Sequence, residues 1–77
     1  MIKQINKRIE NQLLIYEEDL VNDEKILVCQ CFVVLENNSV NFNYDVFNAD
    51  LFEKKREDYI GAMLEFKSES ELHSLIH

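Results

Sequence analysis

With 77 residues, 47% of them apolar and 30% charged, the chain has material for one small folded domain spanning residues 1–77 and is too rich in Ile, Val, Leu and Phe to be disordered. Fifteen acidic side chains against eight basic ones give a formal charge of −7, a field that repels nucleic acid and anionic lipid and attracts basic surfaces. One glycine, Gly61, and no proline exclude the phosphate-cradling loops, dinucleotide fingerprints and nucleophile elbows that depend on glycine, so no enzyme is expected.

The first eight residues are basic but lack an uninterrupted apolar core, which argues against a signal peptide. The longest apolar runs, residues 13–16 and 32–35, are far shorter than the ~20 residues of a membrane helix. Two cysteines in such a chain suggest a reducing compartment and free thiols, hence a cytoplasmic location, in the host cytoplasm if the chain is phage-encoded.

Residues 2–20 admit two readings. Ile2, Ile5, Ile9, Leu13, Tyr16 and Leu20 have helical spacing. A single helix would, however, place Lys3, Lys7 and Arg8 at its N-terminus and Glu17, Glu18 and Asp19 at its C-terminus, opposing the helix dipole at both ends. A short helix over residues 2–11 followed by a strand over residues 12–17 is therefore expected, with a turn at Asn22-Asp23.

Residues 26–35 are β-branched, aromatic and almost all apolar, whereas residues 40–46 alternate apolar and polar. Asn37-Asn38 between them suits a two-residue type I′ turn. That turn sets Leu35 opposite Val40, Val33 opposite Phe42, Cys31 opposite Tyr44 and Cys29 opposite Val46, all on the core face. The other face carries Ile26, Val28, Gln30, Phe32 and Val34 against Asn41, Asn43 and Asp45, joined by Leu13 and Ile15 if residues 12–17 pair as a strand. The first strand is thus central and the second an edge. The second sheet face must be covered by the N-terminal helix or by another molecule.

In the last third, Asp50 with Glu53 forms an acidic capping box. Phe52, Tyr59, Ile60, Met63 and Phe66 share one helical face. Ser68 with Glu71 forms a second box ahead of Leu72, Leu75 and Ile76, which predicts a bend near Lys67–Ser68 and a short final helix. The expected fold is α+β: a short N-terminal helix, a three-stranded antiparallel meander, and a bent C-terminal helix packed on the face of Cys29, Cys31, Val33, Phe42 and Tyr44.

Candidate chemistry is sparse. Cys29-x-Cys31 with His73 and His77 offers zinc-type donors, but one residue between cysteines is shorter than zinc sites use, and buried cysteines acting as small apolar residues fit better. No basic cluster adjoins either thiol to activate it. Adjacent carboxylates on a strand point to opposite faces and stay solvated. No catalytic residue, metal or cofactor is expected.

Binding features remain. Phe32 and Val34 lie on the second, apolar sheet face. Glu17, Glu18, Asp19, Asp23 and Glu24 form one dense acidic segment, and Glu65, Glu69 and Glu71 another. Carboxylates so spaced can imitate a nucleic-acid phosphate array and occupy a basic groove. In its small size, acidity and lack of proline and catalytic motifs, the chain resembles phage- or mobile-element-encoded inhibitors of bacterial nucleic-acid enzymes, including anti-CRISPR proteins. The resemblance is one of character and assigns no residue a role. The expected function is a small, acidic, non-enzymatic module that inhibits or regulates a protein partner with a basic surface, without binding nucleic acid or membrane directly. The alternative is a structural protein, such as a homodimer, assembling through the apolar sheet face or the edge strand.

Overall fold

The computed structural model describes residues 2–37 and 39–76. Four strands, β1 (Ile2–Ile9), β2 (Gln12–Asp19), β3 (Glu24–Glu36) and β4 (Ser39–Val46), precede two helices, α1 (Ala49–Lys54) and α2 (Arg56–Ile76). The strands form one antiparallel sheet in the order β1-β2-β3-β4. The class is α+β, as expected, but the meander has four strands, because the segment expected to be an N-terminal helix is β1.

The cause lies at Glu10-Asn11. Glu10 adopts φ 53°, and the two residues turn the chain so that Ile9 pairs with Gln12 and the whole of β1 gains a ladder with β2. Asn11 anchors this turn to β3: its side chain donates to the Val33 carbonyl at 3.0 Å, and its own carbonyl accepts from the Val33 amide at 2.9 Å. As a strand, the segment also avoids setting three cations against a helix dipole.

The β3–β4 register is the one the sequence predicts, with Leu35 opposite Val40, Val33 opposite Phe42, Cys31 opposite Tyr44 and Cys29 opposite Val46. Asn37 takes φ 50°, as a type I′ turn requires; Asn38 lies outside the described residues. β3 is central and β4 an edge. The turn at Asn22-Asp23 is also present, with Asp23 at φ 54°. The Asp19 carboxylate accepts from the backbone amides of Val21 and Asn22 at 3.0 and 3.3 Å.

Assignments to the second face are reversed at two places. Leu13 and Ile15, expected there, pair with Cys31 and Cys29 and so face the helices in the core. Ile15 pairs with Cys29 but Tyr16 pairs with Leu27, so Val28 is an extra residue in a β-bulge. Val28 and Cys29 are consequently both fully buried, although strict alternation places Val28 on the second face. Ile26, paired with the buried Glu17, changes face with it. The β3–β4 ladder ends beside the bulge: the Val28 carbonyl accepts from the amides of Phe47 and Asn48 at 2.8 and 3.1 Å, where the chain turns from β4 toward α1.

The cap of α1 is Asn48, not Asp50: its Oδ1 accepts from the Leu51 amide at 3.0 Å. The helical break falls at Lys55 (φ −133°, ψ 38°) and not at Lys67–Ser68. α2 runs through Ser68 without interruption. Ser70 donates back to the Phe66 carbonyl at 2.9 Å, and Lys67 lies 3.4 Å from Glu71 one turn on, so the polar stretch is accommodated within the helix. The expected apolar face is present: Phe52, Tyr59, Met63 and Phe66 are buried against the sheet face of Leu13, Ile15, Cys29, Cys31 and Val33. Phe52 and Tyr59 stack with ring centroids 5.6 Å apart.

Among the described residues the molecule has two layers, helices on one face of a sheet and no element on the other. Its extents are 45 × 19 × 16 Å and its radius of gyration is 13.7 Å. A compact chain of this length would have a radius near ~11.5 Å.

Candidate functional site

The buried polar centre of the molecule is Glu17. It continues the alternation of Leu13 and Ile15 into the helix-covered face and is only 3% exposed. The Tyr59 hydroxyl donates to its Oε1 at 2.5 Å, and Lys55 Nζ stands 3.6 Å from the same oxygen. Among the described residues, Oε2 has no hydrogen-bond partner. Burial, and then the Glu17 carboxylate, push the Tyr59 hydroxyl far above its ordinary range. Glu17 is thus removed from the partner-binding residues expected from sequence. It is a core carboxylate tied to α1–α2, and the signal was present in its even spacing from Leu13 and Ile15.

The other expected contact residues do not form one patch. Glu18 lies on the uncovered sheet face directly across from Lys25. Asp19 is engaged by its own turn, and the Asn22 side chain, then backbone amides, hold its carboxyl below the usual range. Asp23 and Glu24 are exposed nearby. Phe32 and Val34 share the uncovered face, Val34 42% exposed. On α2, Glu65 is exposed, Glu69 pairs with Arg8, and Glu71 lies beside Lys67. The Arg8 guanidinium, 5.5 Å over the Phe66 ring, holds the Glu69 carboxyl low through its hydrogen bond.

Two groups are absent from the partner-binding residues expected from sequence. Glu57 and Asp58 are exposed in the first turn of α2, where the helix dipole favours them. In addition, β1 places Ile5, Lys7 and Ile9 opposite Tyr16, Leu14 and Gln12, so it extends the apolar sheet face instead of covering it. That face has an apolar centre of Ile5, Leu14, Tyr16, Leu27, Phe32 and Val34. By strand alternation its charges are Lys3, Lys7 and Lys25 against Glu18, Glu36 and Asp45. Three of each sign cancel, so the −7 of the chain belongs to the other side of the molecule: the helix segment carries −3, and the rest comes from the helix-facing strand positions Arg8, Glu17, Asp19 and Glu24 and the turn residues Glu10 and Asp23.

A cleft of about 400 Å³ lies between the β1–β2 turn and α2, lined by Arg8, Glu10, Asn11, Val33, Phe66 and Glu69 among others. Its Arg8 is committed to Glu69, its Asn11 to Val33 and its Ser70 hydroxyl to the Phe66 carbonyl. No group of three or more His, Cys, Asp or Glu side chains suited to a metal ion occurs among the described residues; the imidazoles of His73 and His77 lie outside them. No helix among the described residues is long and apolar enough to cross a membrane.

Cys29 and Cys31 are free, fully buried thiols. Burial pushes both up from 9.0 to about 11, and the neighbouring Cys31 adds to the effect at Cys29. A group whose folded value lies above its unfolded one contributes stability that is complete below the unfolded value and is lost as pH rises. The free energy of unfolding should therefore fall between pH 9 and 11, by up to about 1.4 kcal/mol per thiol per pH unit. In urea titrations the Cys29→Ala/Cys31→Ala variant should give a flatter profile over that window, with Tyr59 supplying the slope that remains. Equal slopes in the two proteins would show that the thiols do not carry the effect. Comparison with protein-family models, with curated proteins and with solved structures finds no match to this chain.

Proposed function

We propose that the chain is a non-enzymatic protein-binding module that presents its acidic helix layer to a basic partner surface, of the kind that holds nucleic acid, and thereby inhibits or regulates that partner. The observation that carries this reading is the one-sided charge: the uncovered sheet face is neutral, and the helix side of the molecule together with the turns holds the whole net charge. Along α2, the exposed Asp58 and Glu65 follow one another on the solvent side, and Glu69, paired with Arg8, continues their line. At 1.5 Å of rise per residue the three stand about 10 and about 6 Å apart along the axis. This is a rigid anionic row that a Lys- and Arg-lined groove can follow, with Glu57 beside its start. A rigid helix presents such charges with little loss of backbone entropy on binding.

The test is capture of host proteins on the immobilised chain, with identification by mass, at low and at high salt. The wild type should retain a basic protein at low salt and release it at high salt. The Glu57→Lys/Asp58→Lys/Glu65→Lys variant, altered only at exposed positions, should not retain it. DNA should compete for the captured protein. A partner held equally by the variant, or unaffected by salt, would remove the helix layer from the interaction.

A further inference from the structure

We infer that the uncovered sheet face binds a second copy of this chain, the two sheets stacking face to face about a two-fold axis parallel to the strands. This stands apart from the reading above, since it uses the opposite side of the molecule.

The face is built like the inner half of a β-sandwich. Its centre is apolar, and the molecule is thinner and more extended than a chain of 77 residues that closes its own core. One more layer about 10 Å away would complete it. What identifies the occupant is the placement of charge. Lys3 and Lys7 lie on β1, at one edge of the face. Asp45 and Glu36 belong to β3–β4, toward the other edge. Glu18 and Lys25 neutralise each other across β2 and β3. The face is therefore positive on one side and negative on the other, with an apolar strip between.

Register makes this self-complementary. Lys7 pairs with Leu14, Leu14 with Gln30, and Gln30 with Asp45, so Lys7 and Asp45 end the same cross-strand row. A two-fold axis along the strands exchanges left and right but keeps the row. It sets Lys7 of each copy over Asp45 of the other, giving two equivalent ion pairs around a shared apolar centre. The perpendicular two-fold axis would instead stack β1 on β1, cation over cation. Within one copy the two residues are three strands apart, about 14 Å, and do not meet.

The sheet measures about 19 by 26 Å, so a dimer buries on the order of 1,000 Å², near the lower limit of specific interfaces. Association is to be read by analytical ultracentrifugation over roughly 1 μM to 1 mM. The wild type should pass from monomer to dimer in that range. Lys7→Asp and Asp45→Lys, both at exposed positions, should each weaken the dimer by on the order of tenfold or more, because symmetry applies each change twice. The Lys7→Asp/Asp45→Lys double variant should restore it to within a few-fold of wild type. Circular dichroism establishes that each variant is folded. A wild type that stays monomeric throughout would overturn the inference. So would single variants without effect, a double variant that fails to recover, or a Lys7→Asp chain that associates more tightly.

Discussion

Replacing Tyr59 by alanine should cost the domain most of its stability, about 4–5 kcal/mol. Truncating a large buried aromatic removes about 3–5 kcal/mol by itself, and Tyr59 is 1% exposed and stacked on Phe52. The same change removes the hydroxyl that donates to Glu17, leaving a buried carboxylate with Lys55 as its remaining counterpart. Total stability for a chain of this size is of the order of 4–12 kcal/mol, so the variant should be unfolded or close to it. Tyr59→Phe isolates the polar part. It keeps the ring and should cost about 1–3 kcal/mol, the penalty of a buried acceptor losing its donor. Adding Glu17→Leu to Tyr59→Phe should recover much of that loss, because removing both partners leaves no orphaned group. Urea midpoints for the three proteins test the sequence of effects. A Tyr59→Phe protein within ~0.5 kcal/mol of wild type would mean that the hydrogen bond is energetically idle.

Two adjacent residues give the second large effect. Ile15→Ala should destabilise by about 3–4 kcal/mol, whereas Leu14→Ala should cost about 1 kcal/mol or less when the protein is dilute. Ile15 is 0% exposed under the helices, so its truncation leaves a cavity in a close-packed core. Leu14 points to the face that no element covers, where the lost methyl groups were already partly in water. If the sheet face pairs with a second copy, the Leu14→Ala penalty should grow with protein concentration, since a dimer is stabilised by mass action, while that of Ile15→Ala should stay constant. Equal penalties at high dilution would show that Leu14 is covered within its own chain.

Much of the fold was legible because it is written in short-range pattern. Asn37, the alternation of residues 40–46 and the apolar run before them determine the β3–β4 register. The same pattern makes β3 central and buries both cysteines. The spacing of Phe52, Tyr59, Met63 and Phe66 identifies the packed side of the helices before any partner is known.

The remainder was decided by contacts the local pattern does not contain. Ile5 and Ile9 are four residues apart, which suits one helical face and, being an even number, one strand face equally well. The ladder with β2 and the anchoring of Asn11 to Val33 select the strand, since main-chain hydrogen bonds to a neighbour outweigh a marginal short helix. The bulge at Val28 turns one side chain into the core that strict alternation puts outside. Glu17 counted as a surface acid until the Tyr59 hydroxyl arrived from α2 to hold it.

Composition alone establishes a small, acidic chain without the glycine-based loops of phosphate or nucleophile chemistry. Where the charge sits is a property of the tertiary structure, because strand pairing sorts neighbouring residues to opposite faces. That sorting leaves the uncovered sheet face neutral, with its outer cations on β1 and its outer anions toward β4, and leaves the net charge to the helix side and the turns.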